Sequence, residues 1–366
     1  MSRGAPILDV MTALTLDTYR LLGRSGLRVS PLALGAMTFG SDWGWGADPA
    51  ETRRMFDLYV DRGGNFIDTA NFYTNGSSER LVGEFAKPNR ERLVIATKYS
   101  LMARPGDPNS AGNHRKNMVR SVEASLGRLG TDHIDLFYLH AWDALTPVDE
   151  IMRAMDDLVR AGKVIYLGIS DTPAWQVARM QTLADFRGWA PLVALQIEYS
   201  LVQRTVERDL IPMAKELGLG VLPWSPLGSG VLSGKYTKAD LEAKSTTALD
   251  GTRRSVAIAN GALTPRSLRI ADEVVAIAKE IGKTPSQVAL AWTLLDDGIT
   301  SPIIGARTAA QLEENLGALE VELSHDHRAR LESISSVELG FPHDFLASPF
   351  VREVVTGKAK IVTRRH

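Results

Sequence analysis

The sequence predicts an α/β protein built as a single (β/α)8 TIM barrel, with an N-terminal β-hairpin and a long loop after strand 7. The chain has 366 residues, enough for a barrel of about 250 residues with insertions. From Pro31 onward, short apolar runs alternate with segments of helical period. This alternation is typical of parallel strands joined by helical crossovers, and it provides eight strand candidates, the number that closes a barrel.

Each candidate strand is short and apolar enough to be buried on both faces, as parallel strands usually are. They are residues 32–36, 65–68, 93–98, 134–139, 164–169, 192–197, 220–224 and 301–304. The segments between them carry apolar residues at helical spacing. Two such stripes are Met118, Val122, Leu126 and Leu129, and Val148, Ile151, Met155 and Leu158. Helix boundaries are indicated by Asp48-Pro49, Gly63-Gly64, Thr146-Pro147 and Ala161-Gly162.

Some segments lie outside the repeating pattern. Residues 19–29 predict a small hairpin that could plug the bottom of the barrel. Residues 231–264 are polar and Gly-rich and contain Arg253-Arg254, so we expect a long loop that acts as a flap over a ligand. Two helical segments, 266–281 and 285–296, precede the last strand. The expected divisions are an N-terminal extension (1–18), the barrel (19–336) and a C-terminal tail (337–366).

The composition excludes several classes of function. The chain has no cysteine, a net charge of −1 and 23% charged residues, which argues against disulfides, thiolate sites and a basic nucleic-acid surface. No apolar stretch approaches the roughly 18 residues that span a bilayer. His325 and His327 have no companions at metal-ligand spacing. We therefore expect a cytoplasmic protein without a metal, whose partner is a small molecule; the oligomeric state does not follow from the sequence.

Polar or aromatic residues end most of the predicted strands, where the loops of a barrel converge on one mouth. They are Asp68, Tyr73, Lys98, His140, Ser170, Asp171, Gln196, Trp224 and Ser225. Taken singly, each has an ordinary alternative, such as a cap for Asp68, packing for Tyr73 or a core position for His140. Lys98 is less ordinary because a buried lysine needs an anion, and Asp68 is available. On neighbouring strands of one mouth, the set indicates a catalytic site.

These residue types suit proton transfer to a carbonyl oxygen. Tyrosine has a reference pKa near 10, and an ammonium such as that of Lys98 favours the phenolate and lowers that pKa. Asp68 would hold the lysine, and His140 could donate a hydrogen bond to a developing alkoxide. Since the pattern contains neither a nucleophile nor a metal cluster, the reducing equivalent must come from a bound hydride donor.

The glycine-rich fingerprint of a Rossmann domain does not follow any predicted strand. The segment 228–235 resembles a phosphate-binding loop, but its glycine spacing is wrong and Tyr236 stands where Ser or Thr is required. A better anion site follows the last strand, where Gly305, Arg307 and Thr308 precede a helix. Arginine there suits a 2′-phosphate, although Thr308 is equally well explained as a helix cap.

Several segments, in order, resemble the aldo-keto reductase family, in particular its branch of potassium-channel β-subunits and bacterial reductases. They are GNFIDTANFY (64–73), GSSE (76–79), TK (97–98), DLFYLH (135–140), GIS (168–170), WSPL (224–227) and SGKY (233–236). The resemblance extends from about Tyr19 to Asn315. It implies a (β/α)8 barrel that binds NADP(H) without a Rossmann fold. It also implies a catalytic tetrad of Asp68, Tyr73, Lys98 and His140.

The resemblance also implies a cofactor site. Its expected residues are Ala36, Met37, Asp68, Ser170, Asp171, Gln196, Trp224, Ser225, Pro226, Leu227, Gly230, Lys235, Gly305, Arg307, Thr308, Gln311, Glu314 and Asn315. Ser170, Asp171 and Gln196 would hold the carboxamide, and Arg307 and its neighbours the 2′-phosphate end. Two positions depart from the family pattern. Asp171 stands where asparagine is common, and Ala36 stands where threonine is frequent.

The expected function is therefore NADPH-dependent reduction of an aldehyde or ketone to an alcohol, with a tyrosine proton donor. Alcohol oxidation in the reverse direction is equally compatible with the sequence, and so is a cofactor-bound regulatory subunit with little turnover. Neither the substrate nor the direction follows from the residues. Candidates for the substrate pocket, each also explained by packing, are Trp43, Trp45, Met102, Trp142, Phe341, Phe345 and Phe350.

Overall fold

The computed structural model describes residues 14–242, 253–357, 359 and 361. Eight parallel strands form the predicted barrel, preceded by an antiparallel pair. The strands are β1 Arg20–Leu21, β2 Arg28–Val29, β3 Ala33–Gly35, β4 Phe66–Asp68, β5 Val94–Tyr99, β6 Ile134–Leu139, β7 Val164–Ser170, β8 Leu192–Glu198, β9 Gly220–Trp224 and β10 Ile303–Gly305. Each predicted strand is confirmed to within about two residues.

Helices cover the outside of the barrel. They are α1 Pro49–Asp61, α2 Ser77–Ala86, α3 Arg115–Leu129, α4 Val148–Arg160, α5 Ala174–Arg187, α6 Leu210–Leu217, α7 Lys238–Glu242, α8 Arg253–Ala259, α9 Pro265–Glu280, α10 Pro285–Thr293, α11 Ala309–Leu316, α12 His325–Ser335, α13 His343–Ala347 and α14 Pro349–Thr356. The predicted apolar stripes of α3 and α4 face the core, where Met118, Val122, Ile151 and Met155 are fully buried. Helix α10 ends at Thr293, three residues before the predicted end at residue 296.

The strand order is β10-β3-β4-β5-β6-β7-β8-β9, and every neighbouring pair is parallel. At the remaining seam, Val221 of β9 forms a parallel bridge with Ile299, just before β10. All six residues of β5 are buried, because helices cover the outer face and side chains fill the interior. The carboxyl ends of the strands therefore meet at one mouth.

The hairpin β1–β2 closes the opposite end, as predicted. Leu22 and Val29 are fully buried and pack in the interior with Phe66 and Leu222. Gly23 lies in the turn with a φ of +54°, and a Cβ there would come within 2.4 Å of the carbonyl oxygen of Val193. Only glycine allows this approach, so the turn seals the base of the barrel through backbone contact.

The segment 231–264, predicted as a long loop after the seventh barrel strand, contains helical turns in its described residues. It continues a 3-10 turn at Gly228–Ser233 and contains the short helices α7 and α8. An apolar cluster packs the 3-10 turn and α8 against α9, with Val231, Ala257 and Leu268 buried together. Helices α7 and α8 are too short to show a helical period of apolar residues in the sequence. Residues 243–252 lie outside the described part of the chain, as do residues 1–13 of the expected N-terminal extension.

Local sequence signals explain most of the helix starts. Asp48 caps α1 by accepting a hydrogen bond from the backbone of Glu51, and Pro49 occupies the first turn, as predicted. Thr264, Thr284 and Ser324 form reciprocal capping boxes at α9, α10 and α12. Within the described ranges, no helix is long and apolar enough to cross a membrane, and no group of three acidic or histidine side chains could hold a metal ion.

One prediction follows from the packing of α2 on α3. A Cβ at Gly83 would lie 2.3 Å from the carbonyl oxygen of Leu129, whereas a Cβ at Gly127, in α3, has open space around it. Helix propensity alone favours alanine over glycine by about 1 kcal/mol. We expect Gly127→Ala to stabilise the protein by up to about 1 kcal/mol, and Gly83→Ala to destabilise it by about 1–3 kcal/mol because the helices must separate. Urea denaturation of both variants measures the difference, and stabilisation by both would contradict the packing.

Candidate active site

Four of the side chains that the sequence singled out converge at the mouth of the barrel. Asp68 is the last residue of β4, Lys98 lies near the end of β5, and His140 directly follows β6. Tyr73 lies in a short 3-10 turn, Tyr73–Gly76, after β4. These three strands are neighbours in the sheet, so their carboxyl ends bring residues distant in sequence into contact.

Lys98 is the centre of this cluster. Its side chain is fully buried, and its ammonium donates hydrogen bonds to the Asp68 carboxylate at 2.6 Å, the Thr69 carbonyl at 2.8 Å and the Tyr73 hydroxyl at 3.2 Å. The three acceptors match the three donors of an ammonium. The ammonium also lies 4.8 Å from the centre of the Tyr73 ring, within cation–π range. The buried charge is therefore both paired and hydrogen-bonded.

Asp68 is held from two sides of the barrel. One carboxylate oxygen accepts the bond from Lys98, and the other accepts from the side-chain amide of Gln196 at 2.9 Å. Gln196 lies on β8, four strands from β4 in the sheet. Because Lys98 lies on the adjacent strand β5 and Gln196 on the far side of the barrel, the position of the carboxylate depends on closure of the barrel.

Burial and charge act in opposite directions on the protonation of this cluster. Burial lowers the pKa of Lys98, but attraction by Asp68 and contact with Tyr73 outweigh it, so the pKa lies above its ordinary value of 10.5. Burial raises the pKa of Tyr73 above 10.0, and the lysine opposes this only in part. The sequence predicted the lowering effect of Lys98, whereas in the structure burial is larger. Tyr73 is therefore a protonated phenol at neutral pH.

His140 is the neutral member of the cluster. Burial and the nearby Lys98 ammonium hold the pKa of its imidazole well below 6.5. Its ring meets the Tyr73 ring edge to face, with 5.7 Å between centroids. Its Nδ1 atom is buried without a hydrogen-bond partner among the described residues. A neutral imidazole beside a protonated phenol provides two hydrogen-bonding groups for one oxygen atom.

A cavity of about 600 Å³ extends from these residues to the loop after β10. It contains Asp68, Tyr73 and His140 but not Lys98, which lies beneath its floor. The predicted cofactor residues along its wall are Met37, Asp68, Ser170, Asp171, Gln196, Trp224, Ser225, Pro226, Leu227, Gly230, Lys235, Gly305, Arg307, Gln311, Glu314 and Asn315. Two others, Ala36 and Thr308, do not line it. Ala36 is fully buried, and its carbonyl accepts from Ser78.

The cavity wall carries features that a bound polar molecule would satisfy. The Ser170 hydroxyl is buried without a partner in the described part of the chain. Ser229 and Gly230 both have a left-handed backbone, and a Cβ at Gly230 would come within 2.8 Å of the Lys235 ammonium. The absence of a side chain at Gly230 leaves room for a phosphate to approach the backbone beside the Lys235 ammonium. These features fit a dinucleotide.

The far end of the cavity differs in part from the expectation of an open helix N-terminus. The Thr308 hydroxyl accepts from the backbone of Gln311 and caps α11, so its structural alternative is confirmed. The backbone of Ala309 donates to the Glu51 carboxylate at 2.6 Å. Protein groups therefore already satisfy much of this N-terminus. The exposed Arg307 guanidinium lines the cavity and makes no ion pair with a described residue, which leaves it as the main anion-binding group there.

Aromatic rings border the cavity near Tyr73. The Trp43 ring lies 5.5 Å from those of Trp45 and Phe72, and 6.4 Å from that of Tyr73. Trp43 and Trp45 were expected at the pocket. The other candidates, Met102, Trp142, Phe341, Phe345 and Phe350, do not line this cavity in the described structure. Trp142 packs against the main core, and the three phenylalanines are exposed on the tail.

Sequence reasoning missed several residues that line the cavity. They are Gly35, Thr38, Phe72, Leu101, Ser233, Asn260, Ser286, Leu290, Ile303, Ile304 and Ala306. Those adjacent to strand ends, such as Phe72 and Leu101, follow from the rule that βα loops line the mouth. Asn260 lies in the turn after α8, and Ser286 and Leu290 lie in α10. These segments are outside the repeating pattern, and no local signal in the sequence marks the three residues.

A (β/α)8 barrel with a buried lysine between a carboxylate and a phenol defines an oxidoreductase site. The chain belongs to the Aldo/keto reductase family, whose profile matches residues 31–336. It is 37% identical to norsolorinic acid reductase of Aspergillus flavus over 90% of this chain and 84% of the relative. It is 38% identical to norsolorinic acid reductase B of Dothistroma septosporum, with the same coverage. It is also 36% identical to the aryl-alcohol dehydrogenase [NADP(+)] of Phanerodontia chrysosporium, over 87% and 86% of the two chains. The protein is an oxidoreductase.

Substitutions in the buried Lys98–Asp68 ion pair should affect stability and turnover to different extents. Lys98→Met leaves the Asp68 carboxylate buried without its cation, which should cost about 3–5 kcal/mol in the free energy of unfolding and abolish turnover. The double variant Asp68→Asn with Lys98→Met removes both charges, and we expect it to regain part of the stability and none of the turnover. Urea denaturation and steady-state assays measure the two effects.

A matched control is Arg90→Met. It breaks the half-buried ion pair of Arg90 with Asp135, 2.8 Å long, among residues that do not line the cavity. This variant should lose stability and keep turnover once folded. If the double variant recovered turnover together with its stability, the Lys98–Asp68 pair would be structural only.

Proposed function

We propose that the protein uses NADPH to reduce an aldehyde or ketone to an alcohol, with the Tyr73 phenol as the proton donor. The observation that carries this proposal is the Lys98 ammonium, buried between the Asp68 carboxylate at 2.6 Å and the Tyr73 hydroxyl at 3.2 Å. Family membership and the reductase relatives support carbonyl reduction at this site. The reverse oxidation would use the same groups.

The cofactor would supply the hydride, and residues at the two ends of the cavity would hold it. We assign Ser170, Asp171 and Gln196 to the nicotinamide end, because they lie at strand ends beside the tetrad. Arg307 would hold the 2′-phosphate, with Gly305, Gln311, Glu314 and Asn315 around the adenosine. Ser225 to Gly230 and Lys235 would surround the pyrophosphate. The NADP(+) named in the relative from Phanerodontia chrysosporium supports the choice of cofactor.

The protonation states of the cluster suit proton donation. Tyr73 holds its proton at neutral pH because burial raises its pKa. When the proton moves to a carbonyl oxygen, the resulting phenolate stays beside the Lys98 ammonium, which stabilises it at that moment. Asp68 keeps the lysine charged and in place. His140, held neutral, can donate a second hydrogen bond to the same oxygen without adding a charge.

We further propose that the substrate is an aromatic carbonyl compound. The Trp43, Phe72 and Tyr73 rings form a continuous aromatic wall next to the tetrad. Aromatic ligands stack favourably on such walls. The relative that is named an aryl-alcohol dehydrogenase supports this class. Steady-state NADPH oxidation with matched aromatic and aliphatic aldehydes tests both proposals: no turnover with any aldehyde would favour the regulatory-subunit alternative.

Replacing the proton donor should abolish the reaction and spare cofactor binding. We expect Tyr73→Phe to lower kcat by at least about 10²-fold, because general acid catalysis contributes about 10²–10⁴-fold. The dissociation constant of NADPH, measured by fluorescence titration, should change little. Tyr19→Phe is the control, since the Tyr19 hydroxyl donates to the Gly63 carbonyl far from the cavity. Retention of more than a third of the turnover by the Tyr73 variant would refute the assignment.

The adenosine end predicts a preference for NADPH over NADH. Arg307 is the charged donor at that end, and charge-assisted hydrogen bonds contribute about 1.5–3 kcal/mol. We expect Arg307→Ala to weaken NADPH binding by about tenfold or more and to leave NADH binding nearly unchanged. Arg187→Ala, at the exposed end of α5, controls for the loss of one positive charge. Equal dissociation constants of NADPH and NADH in the unmodified protein would exclude the phosphate site.

A further inference from the structure

A carboxylate stands at the nicotinamide end of the cavity. Asp171 directly follows the last residue of β7 and has a left-handed backbone with a φ of +39°. Its backbone donates to the Gln196 carbonyl at 3.3 Å, and its side chain accepts from the Trp224 indole at 3.0 Å. Asp171 is solvent-exposed and lines the cavity. Asparagine adopts this backbone and accepts this hydrogen bond equally well, so neither contact requires an acid.

The other ionisable groups at this end do not cancel the charge of Asp171. The Lys98 ammonium is already paired with Asp68 at 2.6 Å. Tyr73 is a protonated phenol and His140 is a neutral imidazole at neutral pH. From the neighbouring strand β8, the half-buried Glu198 adds a second carboxylate that repels Asp171. This end of the cavity therefore has a net negative charge once Asp171 is ionised.

We propose that the Asp171 carboxylate makes the site prefer the oxidised cofactor over the reduced one, relative to an uncharged amide at the same position. This inference rests on the proposed function, because it requires the nicotinamide to lie beside Ser170 and Gln196. Transfer of a hydride to the carbonyl carbon removes two electrons and one proton from the ring and leaves it with one positive charge. The carbonyl oxygen takes its proton from Tyr73. The carboxylate attracts only the charged, oxidised ring.

Coulomb attraction between the Asp171 carboxylate and the positively charged nicotinamide ring sets the size of the expected change in cofactor affinity. At an effective dielectric constant near 20, two opposite unit charges several Å apart attract each other strongly. The interaction free energy exceeds the free energy that corresponds to a tenfold change in affinity. We therefore expect the ratio of the NADPH to the NADP⁺ dissociation constant to change by about tenfold when the charge is removed. The reduced cofactor, which has an uncharged ring, should bind nearly as before. Binding of the oxidised cofactor and ionisation of Asp171 favour each other, since linkage is reciprocal.

The preference should depend on pH in a defined direction. Enclosure by the cavity walls raises the pKa of Asp171 to about 6. Below that value the side chain is neutral and behaves as the amide would. Above it the side chain is charged and the oxidised cofactor gains affinity. Burial and repulsion by Asp171 raise the pKa of Glu198. Because repulsion between two carboxylates is mutual, we expect removal of the Glu198 charge to move the change to lower pH.

The test is to titrate NADP⁺ and NADPH into the full chain by calorimetry between pH 5 and 8. In the unmodified protein, the ratio of the NADPH to the NADP⁺ dissociation constant should rise by about tenfold with pH. In Asp171→Asn the ratio should be constant and low. Asp57→Asn is the matched control, because it removes an exposed carboxylate of α1 outside the barrel. Its ratio should follow that of the unmodified protein.

A second variant keeps the inference testable if Asp171→Asn does not fold. Glu198→Gln retains Asp171 and should lower the pH at which the ratio of the two dissociation constants changes. If Asp171 had only a structural role, this substitution would not shift that pH. If both cofactors bind and the ratio is the same in the unmodified protein and in Asp171→Asn at all pH values, the inference is wrong and the proposed function stands. If neither cofactor binds, both are wrong.

Discussion

The buried ion pair between Lys98 and Asp68 is the interaction on which the rest of the site depends. An ammonium with no exposed surface is stable only if every donor has an acceptor, and here the acceptors come from Asp68, Thr69 and Tyr73. One bond sets the position of the Tyr73 hydroxyl at the mouth. Another depends on Asp68, which Gln196 holds from across the barrel. The Asp68 carboxylate is therefore positioned only in the closed barrel, and the Lys98 ammonium that it holds positions the Tyr73 hydroxyl.

Burial, more than pairwise charge, decides the protonation states around this pair. It raises the pKa of Tyr73 although an ammonium lies 3.2 Å away, and it keeps His140 neutral. The reason is that removal from water penalises each charged form, and one nearby cation only partly compensates an anion. The resulting site is a protonated phenol with a neutral imidazole, and the cation lies underneath. Asp171 differs from these groups because its pKa, about 6, lies close to neutral pH.

The cavity joins this centre to the loop after β10 through elements that are far apart in the chain. Its floor comes from strand ends, and one wall comes from the segment after β9, with Gly230 and Lys235. At the far end, the Glu51 carboxylate of α1 accepts a hydrogen bond from the backbone N–H of Ala309 at the start of α11. An anion there would meet mainly the Arg307 side chain, because protein groups already satisfy part of the helix N-terminus. Among the described residues at this end of the cavity, the positive charge is that of Arg307.

The sequence by itself determined the eight strands and the hairpin, and it predicted the cluster of Asp68, Tyr73, Lys98 and His140 at the mouth, because strand periodicity and polar residues near strand ends are local signals. It also identified most of the cavity residues through the resemblance of contiguous segments. Only the tertiary structure decided the raised pKa of Tyr73, the occupation of the α11 N-terminus by Glu51 and the exclusion of Ala36 from the cavity. The same holds for Asn260, Ser286 and Leu290 in the wall. Each depends on burial or on contacts between segments far apart in the chain, which residue spacing does not encode.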